Sequence, residues 1–192
     1  MTDPDSTSEF PPSGASANVA DILARNAAYV SGFHDRDLQV RPTRQLAVVA
    51  CMDSRIDAFA VLGLDNGEAH IIRNAGGVVT DDVIRSLCLS QRFLGTTEIV
   101  LVHHHDCGLQ KVDEAEFRAE LEAELGVKPW WSLETFQDPF ADVRQSIERL
   151  RMSPFLLHRE RITGFVYDVH DGRLHLVTPA AQSAGETSAA RG

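Results

Sequence analysis

Three short strand-like runs constrain this chain more than any other feature. They are Leu46-Ala47-Val48-Val49-Ala50, Ala69-His70-Ile71-Ile72-Arg73 and Glu98-Ile99-Val100-Leu101-Val102-His103. The first, short and continuously apolar, fits a buried strand of a parallel sheet, and the other two read as further strands. Helical patterns lie around and between them. Asn18 is placed to cap a helix through Val19, Ile22, Leu23, Ala27 and Val30. Thr80-Asp81-Asp82 opens another through Val83, Ile84, Leu87, Cys88 and Phe93, its carboxylates placed where a helix N-terminus favours negative charge, and Gly95 ends it. Asp113 to Leu125 reads as a helix stopped by Gly126. Asp138-Pro139 opens one more, with proline at a tolerated first position. Val143, Ile147 and Leu150 line one face of it, and Ser153-Pro154 breaks it. Ile162 to Asp168 reads as a fourth strand. Asp171-Gly172 is a hairpin turn into a fifth, antiparallel strand over Leu174 to Val177. The fold class expected is α/β: a mostly parallel central sheet, four parallel strands plus an antiparallel edge strand, flanked by helices. Residues 1–17 and 179–192 read as disordered tails around a single domain at 18–178.

Two of the strands end in residues that carry chemistry. Cys51-Met52-Asp53-Ser54-Arg55 follows the first, and His104-His105-Asp106-Cys107 follows the third. Ligands of open α/β sheets bind at the carboxyl ends of strands near a switch in strand order. If the first and third strands are neighbours, both segments reach one crevice. Two thiolates and an imidazole suit Zn²⁺, and three protein ligands rather than four leave a position open for chemistry. Asp53 and Arg55 are spaced to face the same site, where such a pair can orient a water at the metal.

C-x-D-x-R after one strand and H-x-x-C-G after a later one, with Arg73-Asn74-Ala75-Gly76-Gly77 between them, resembles the zinc signature of the β-class carbonic anhydrases of bacteria. The similarity covers roughly 18 to 178 and is strongest from Leu46 to Gln110. It implies a zinc ion held by Cys51, His104 and Cys107, with the first and third strands side by side. It implies hydration of carbon dioxide to bicarbonate and a proton. Asp53 would accept a hydrogen bond from the reacting water, and Arg55 would pin Asp53 in a bidentate pair and keep it ionised. It also implies a homodimer or homotetramer with the pocket at a subunit interface, and an N-terminal helical arm over residues 19–34. Other readings stay open. Asp53 can be a fourth ligand, in a resting state or in a closed structural site of a non-catalytic binding module. The same centre can hydrolyse carbonyl sulfide or carbon disulfide, which are linear and apolar like carbon dioxide.

Neighbouring residues have plainer expectations. His105 is a hydrogen-bonded loop histidine or a proton shuttle, and His103 a packed strand-end residue. Cys88 is a small core residue. His70, His158, His170 and His175 show no ligand spacing. Gly76 and Gly77 either let backbone amides line the pocket mouth or form a simple strand-to-helix turn, and Gly108 lets the backbone pass close to the metal. Trp130, Trp131 and Phe136 form a subunit contact, a lid or core. Asp57 is a surface charge.

Composition narrows the function class. A net charge of −10 over 192 residues excludes a nucleic-acid surface, which needs a basic footprint, and disfavours anionic membranes. No run approaches the length that spans a bilayer. Met1 to Phe10 lacks the basic and apolar regions of a signal peptide. Three cysteines, two of them fitting a metal site, make no disulfide framework and point to a reducing cytoplasm.

Overall fold

The computed structural model describes residues 16–178, in two units that divide between Leu38 and Gln39. The tail expected at 179–192 lies outside the described residues, as does the tail at 1–17 except for its last two positions. Of those two, Ser16 caps a helix and Ala17 opens it. In the first unit, α1 spans Ala17–Ser31, and the Ser16 hydroxyl accepts a hydrogen bond from the Val19 amide at 3.4 Å. The cap is therefore Ser16 and not Asn18, which lies inside the first turn. Serine and asparagine are equivalent caps, so the pattern left the start open by two residues. Asp21 and Arg25 pair across one turn at 2.7 Å.

The second unit is built on a five-stranded sheet. Its strands are β1 (Leu46–Cys51), β2 (Ala69–Asn74), β3 (Glu98–His104), β4 (Ile162–Tyr167) and β5 (Leu174–Val177). Their order is β2-β1-β3-β4-β5. The first four are parallel, and β5 is antiparallel to β4, as the runs predict. The helices of this unit are α2 (Ala58–Leu62), α3 (Asp81–Arg92), α4 (Glu114–Leu125) and α5 (Pro139–Met152). Thr80, Asp113 and Asp138 cap the last three through their side-chain oxygens. α2 is too short to leave a periodic signature. Asp57, which reads as a surface charge, caps it by accepting from the Ala60 amide at 3.2 Å.

Alternation along the strands sorts the core onto two faces. Ala47, Val49, Ile99 and Leu101 pack with Val83 and Leu87 of α3 and with Val143, Ile147 and Leu150 of α5. Val48, Ala50, Val100 and Val102 pack with Leu64 and with Phe59 and Leu62 of α2. Each aliphatic side chain removed from water in this way stabilises the fold by roughly 2 kcal/mol. The chain leaves β1 for β2 on one side and then returns to β3 on the other. The switch point thus lies between β1 and β3, which pair from Leu46↔Glu98 to Ala50↔Val102. The two chemistry-bearing segments begin where that pairing ends.

A turn after β2 closes the floor of this switch point. Gly76 and Gly77 both have positive φ, 78° and 71°. A Cβ on Gly77 would lie 2.8 Å from the Cys51 backbone nitrogen and 3.0 Å from the Val102 carbonyl oxygen. The turn therefore lies directly on the ends of β1 and β3, where no side chain fits. At Gly108 a Cβ would meet no other protein atom within 4 Å, so the close approach between protein segments that requires a glycine is the one at Gly77. Gly77→Ala is expected to lower stability by about 2 kcal/mol through backbone overlap at Cys51. Thermal melts test this, and an unchanged Tm contradicts it.

Candidate metal centre

Cys51 ends β1, His104 ends β3, and Cys107 lies three residues beyond His104. All three side chains are buried. One donor atom from each lies within 4.8 Å of the other two. The two sulfurs are 3.9 Å apart. Two thiolates on one tetrahedral zinc, each at about 2.3 Å, stand roughly 3.8 Å apart, so the observed spacing fits. The imidazole is prepared as well. His104 Nδ1 lies 2.9 Å from the His105 carbonyl oxygen, which only accepts, so Nδ1 carries the proton. That leaves the Nε2 lone pair for a cation. Nε2 is buried and makes no hydrogen bond. A buried nitrogen without a partner is costly, and a metal ion satisfies it.

The sulfurs titrate as one coupled acid. The hydrogen bond from Cys107 draws the Cys51 thiol down to about 4 against the opposing effect of burial, with His104 and the Asp53 amide acting in the same sense. The bond to Cys51, together with burial, pushes Cys107 well above the ordinary thiol range. Two sulfurs this close cannot both be anionic unless a cation is shared between them.

Asp53 sits at the rim of this set. Its Oδ2 is 3.8 Å from His104 Nε2. Arg55 holds it from the other side: Nε donates to Oδ1 at 2.9 Å, Nη2 to Oδ2 at 2.8 Å, and the Arg55 amide to Oδ1 at 2.9 Å. The side-chain bond from Arg55 is the main reason the Asp53 carboxyl lies far below the usual carboxylate range. Asp53 is thus a fixed acceptor, ionised at any physiological pH. The structure brings together Cys51, Asp53, Arg55, His104 and Cys107, the five residues expected from the two segments.

Other residues around the site are not evident from spacing. Asp106 accepts from Arg55 through its carboxylate and its carbonyl, and Lys111 pairs with it at 2.6 Å. Lys111 first, and Arg55 second, bring the Asp106 carboxyl down to about 2. Arg73 reaches from β2 across the end of β1, donating to the Cys51 carbonyl at 2.9 Å and to the Asp53 carbonyl at 2.7 Å. It fixes the loop between ligand and carboxylate. Its neighbours Asn74-Ala75-Gly76-Gly77 marked the segment, but not the reach of the side chain. Phe136 is buried with Cys51 and Cys107, its ring 5.1 Å from that of His103. Trp130 is 91% exposed, which removes it from the core.

His103 is fully buried, and its Nε2 lies 2.7 Å from Asp142 of α5. The His105 ring packs near Phe140 and His175. Its Nδ1 is 3.5 Å from Asp168, outside hydrogen-bond geometry. His175, which shows no ligand spacing in sequence, does group with Asp168 and Asp171 at the β4–β5 hairpin. Those carboxylates already accept from the backbone amides of His170 and Arg173 and from the Arg173 guanidinium. Cys88 is half-buried against the core, and the His70 Nδ1 pairs with the Ser90 hydroxyl at 2.8 Å.

Comparison with known proteins gives this geometry a family. A family model described as carbonic anhydrase matches residues 46–133. β-Carbonic anhydrase 1 of Mycobacterium tuberculosis is 50% identical over 159 residues, covering 83% of this chain and 97% of that protein. The chain belongs to the β-carbonic anhydrase family. A crystal structure of the carbonic anhydrase from Streptococcus mutans aligns with a TM-score of 0.80 at 42% identity, covering 85% of this chain and 99% of that one. A carbon disulfide hydrolase of Acidianus sp. is 35% identical over 158 residues, covering 68% of this chain and 76% of that protein.

The coupled thiols give a direct test. The lowered pKa of Cys51 means its thiolate persists down to about 4, while Cys107 stays protonated through the ordinary thiol range. In metal-stripped protein, ultraviolet absorbance is expected to show a thiolate at about pH 6 that Cys51→Ser removes. Absence of thiolate at that pH contradicts the coupling.

Proposed function

We propose that this chain catalyses the reversible hydration of carbon dioxide to bicarbonate and a proton, with a zinc ion held by Cys51, His104 and Cys107. The observation that carries this reading is the convergence of three buried donors beside a carboxylate that Arg55 holds out of their set. A site meant only to hold zinc would take Asp53 as its fourth ligand. When bound, zinc supplies the Lewis acidity that brings the ionisation of water near neutral pH.

The chain's own residues do the rest. His104 offers a lone pair and keeps its proton on Nδ1. Cys51 and Cys107 supply negative charge that the cation neutralises. Asp53, permanently ionised, accepts a hydrogen bond from the reacting water and directs its remaining lone pair at the substrate. Arg55 fixes the carboxylate plane, and Arg73 fixes the backbone that carries it. Val78, Leu109 and Phe136, buried with Cys51 and Cys107, keep the surroundings of the two sulfurs apolar.

The carbon disulfide hydrolase relatives support a second reading, in which the same centre hydrolyses a sulfur analogue of carbon dioxide. Greater identity and coverage favour carbon dioxide. A homodimer or homotetramer belongs to the same proposal. Ile22, Tyr29 and Val30 of α1 are exposed, and a partner copy would cover side chains of that kind. No helix among the described residues is long and apolar enough to cross a membrane. The unbridged cysteines support a reducing, cytoplasmic setting.

Stopped-flow hydration of carbon dioxide by zinc-quantified protein tests the reading, with carbon disulfide hydrolysis as the comparison. Hydration is expected to be the faster reaction. Fully zinc-loaded protein without hydration activity overturns the proposal. Cys107→Ala is expected to lose its zinc. Asp53→Ala is expected to keep zinc and lose about 10²-fold or more in kcat. Zinc loss in Asp53→Ala would make Asp53 a ligand instead.

A further inference from the structure

Asp106 lies between His104 and Cys107, and its side chain turns to Arg55 and Lys111. Its backbone is left-handed, with φ 55°, a conformation that a non-glycine residue keeps only where its surroundings hold it. The turn aims both of its acceptors at one partner. The carboxylate Oδ2 accepts from Arg55 Nη1 at 3.0 Å, and the backbone carbonyl accepts from Nη2 at 3.0 Å. Along its adjacent edge the same guanidinium donates to both oxygens of Asp53, through Nε and through the shared Nη2. Arg55 is thus clamped between two carboxylates, one from each metal-site loop. Lys111 Nζ, 2.6 Å from Asp106 Oδ1, balances the added charge and anchors the clamp.

The clamp matters because of what Asp53 would otherwise do. Its Oδ2 lies 3.8 Å from His104 Nε2, at the edge of a Cys₂His set. Two thiolates, an imidazole and a carboxylate are sufficient donors for a closed four-coordinate zinc site. Arg55 alone is a flexible side chain, 42% exposed, and such a pair is weakly held by itself. Its second attachment, to the loop that carries His104 and Cys107, fixes where it can stand.

We infer that Asp106 is a positioning residue: through Arg55 it keeps Asp53 out of the fourth position on the metal, and so sets whether the centre has three protein ligands or four. This rests on the zinc-site reading proposed above. Asp106 touches neither metal nor substrate. Its loss acts by letting Arg55 and Asp53 move together toward the cluster.

Cobalt substitution reads this without relying on turnover. The full chain and its variants are loaded with Co²⁺ and titrated with azide, an anion that takes an open metal position and shifts the visible bands. The unsubstituted protein is expected to respond. Asp106→Asn is expected to retain one cobalt per chain and to bind azide about tenfold or more weakly, with Asp106→Glu partly restoring it. Arg55→Ala is expected to match or exceed that loss. A purely structural role would lower cobalt content and leave the azide affinity of the loaded fraction unchanged. Azide binding by Asp106→Asn equal to that of the unsubstituted protein overturns the inference. Should Asp106→Asn not fold, Lys111→Ala carries the test: weakened azide binding supports the clamp, and unchanged binding overturns it. An unsubstituted protein that binds no cobalt overturns the zinc-site reading, whereas one that binds cobalt but is blind to azide has its fourth position filled and overturns the role of Asp106 alone.

Discussion

The site depends on β1 lying directly against β3. Parallel pairing from Leu46↔Glu98 to Ala50↔Val102 carries Cys51 and His104 to the same edge of the sheet from positions far apart in the chain. No loop has to reach for the other. The strands around them are buried to near zero exposure, so the donor positions inherit the rigidity of the core. Gly77 completes the arrangement by letting the turn after β2 rest on both strand ends. A side chain there would push Cys51 out of line.

Electrostatics then separates holding a metal from using it. Cys51, His104 and Cys107 make a buried set whose sulfurs are too close to be anionic together without a cation. Around it runs a chain of charges, Asp53, Arg55, Asp106 and Lys111, partly open to solvent. Ion pairs in that setting contribute little to stability. Their worth on the proposed reading is geometric: they would hold the Asp53 carboxylate beside the metal position rather than on it. The backbone bonds from Arg73 to the carbonyls of Cys51 and Asp53 do the same for the loop.

Much of this was legible in the sequence because it rests on periodicity and on local chemistry. The runs at Leu46, Ala69 and Glu98 are short and rich in β-branched residues, which favours strands. Thr80-Asp81-Asp82 and Asp138-Pro139 marked where two helices open, and composition marked the one from Asp113. Cys51 and His104 were readable because each stands at the end of an apolar run. What escaped had non-local or subtle causes. Ser16 and Asn18 are equally good caps, so the start of α1 was ambiguous. α2 has too few residues to show a period. Asp106 owes its role to a left-handed backbone and to a partner in another loop, neither of which spacing encodes. Gly77 must lack a side chain because the turn after β2 packs on the ends of β1 and β3, a contact between elements that spacing does not encode. His175 meets Asp168 and Asp171 because a hairpin folds them together.

The central claim is a three-ligand metal centre with Asp53 held aside. Anomalous diffraction at the zinc edge, from crystals of zinc-loaded protein, tests it most directly. A single peak is expected within bonding distance of Cys51 Sγ, His104 Nε2 and Cys107 Sγ, about 2.0–2.3 Å, with the Asp53 carboxylate still paired to Arg55. A peak elsewhere, or an Asp53 oxygen as the fourth ligand, would contradict it.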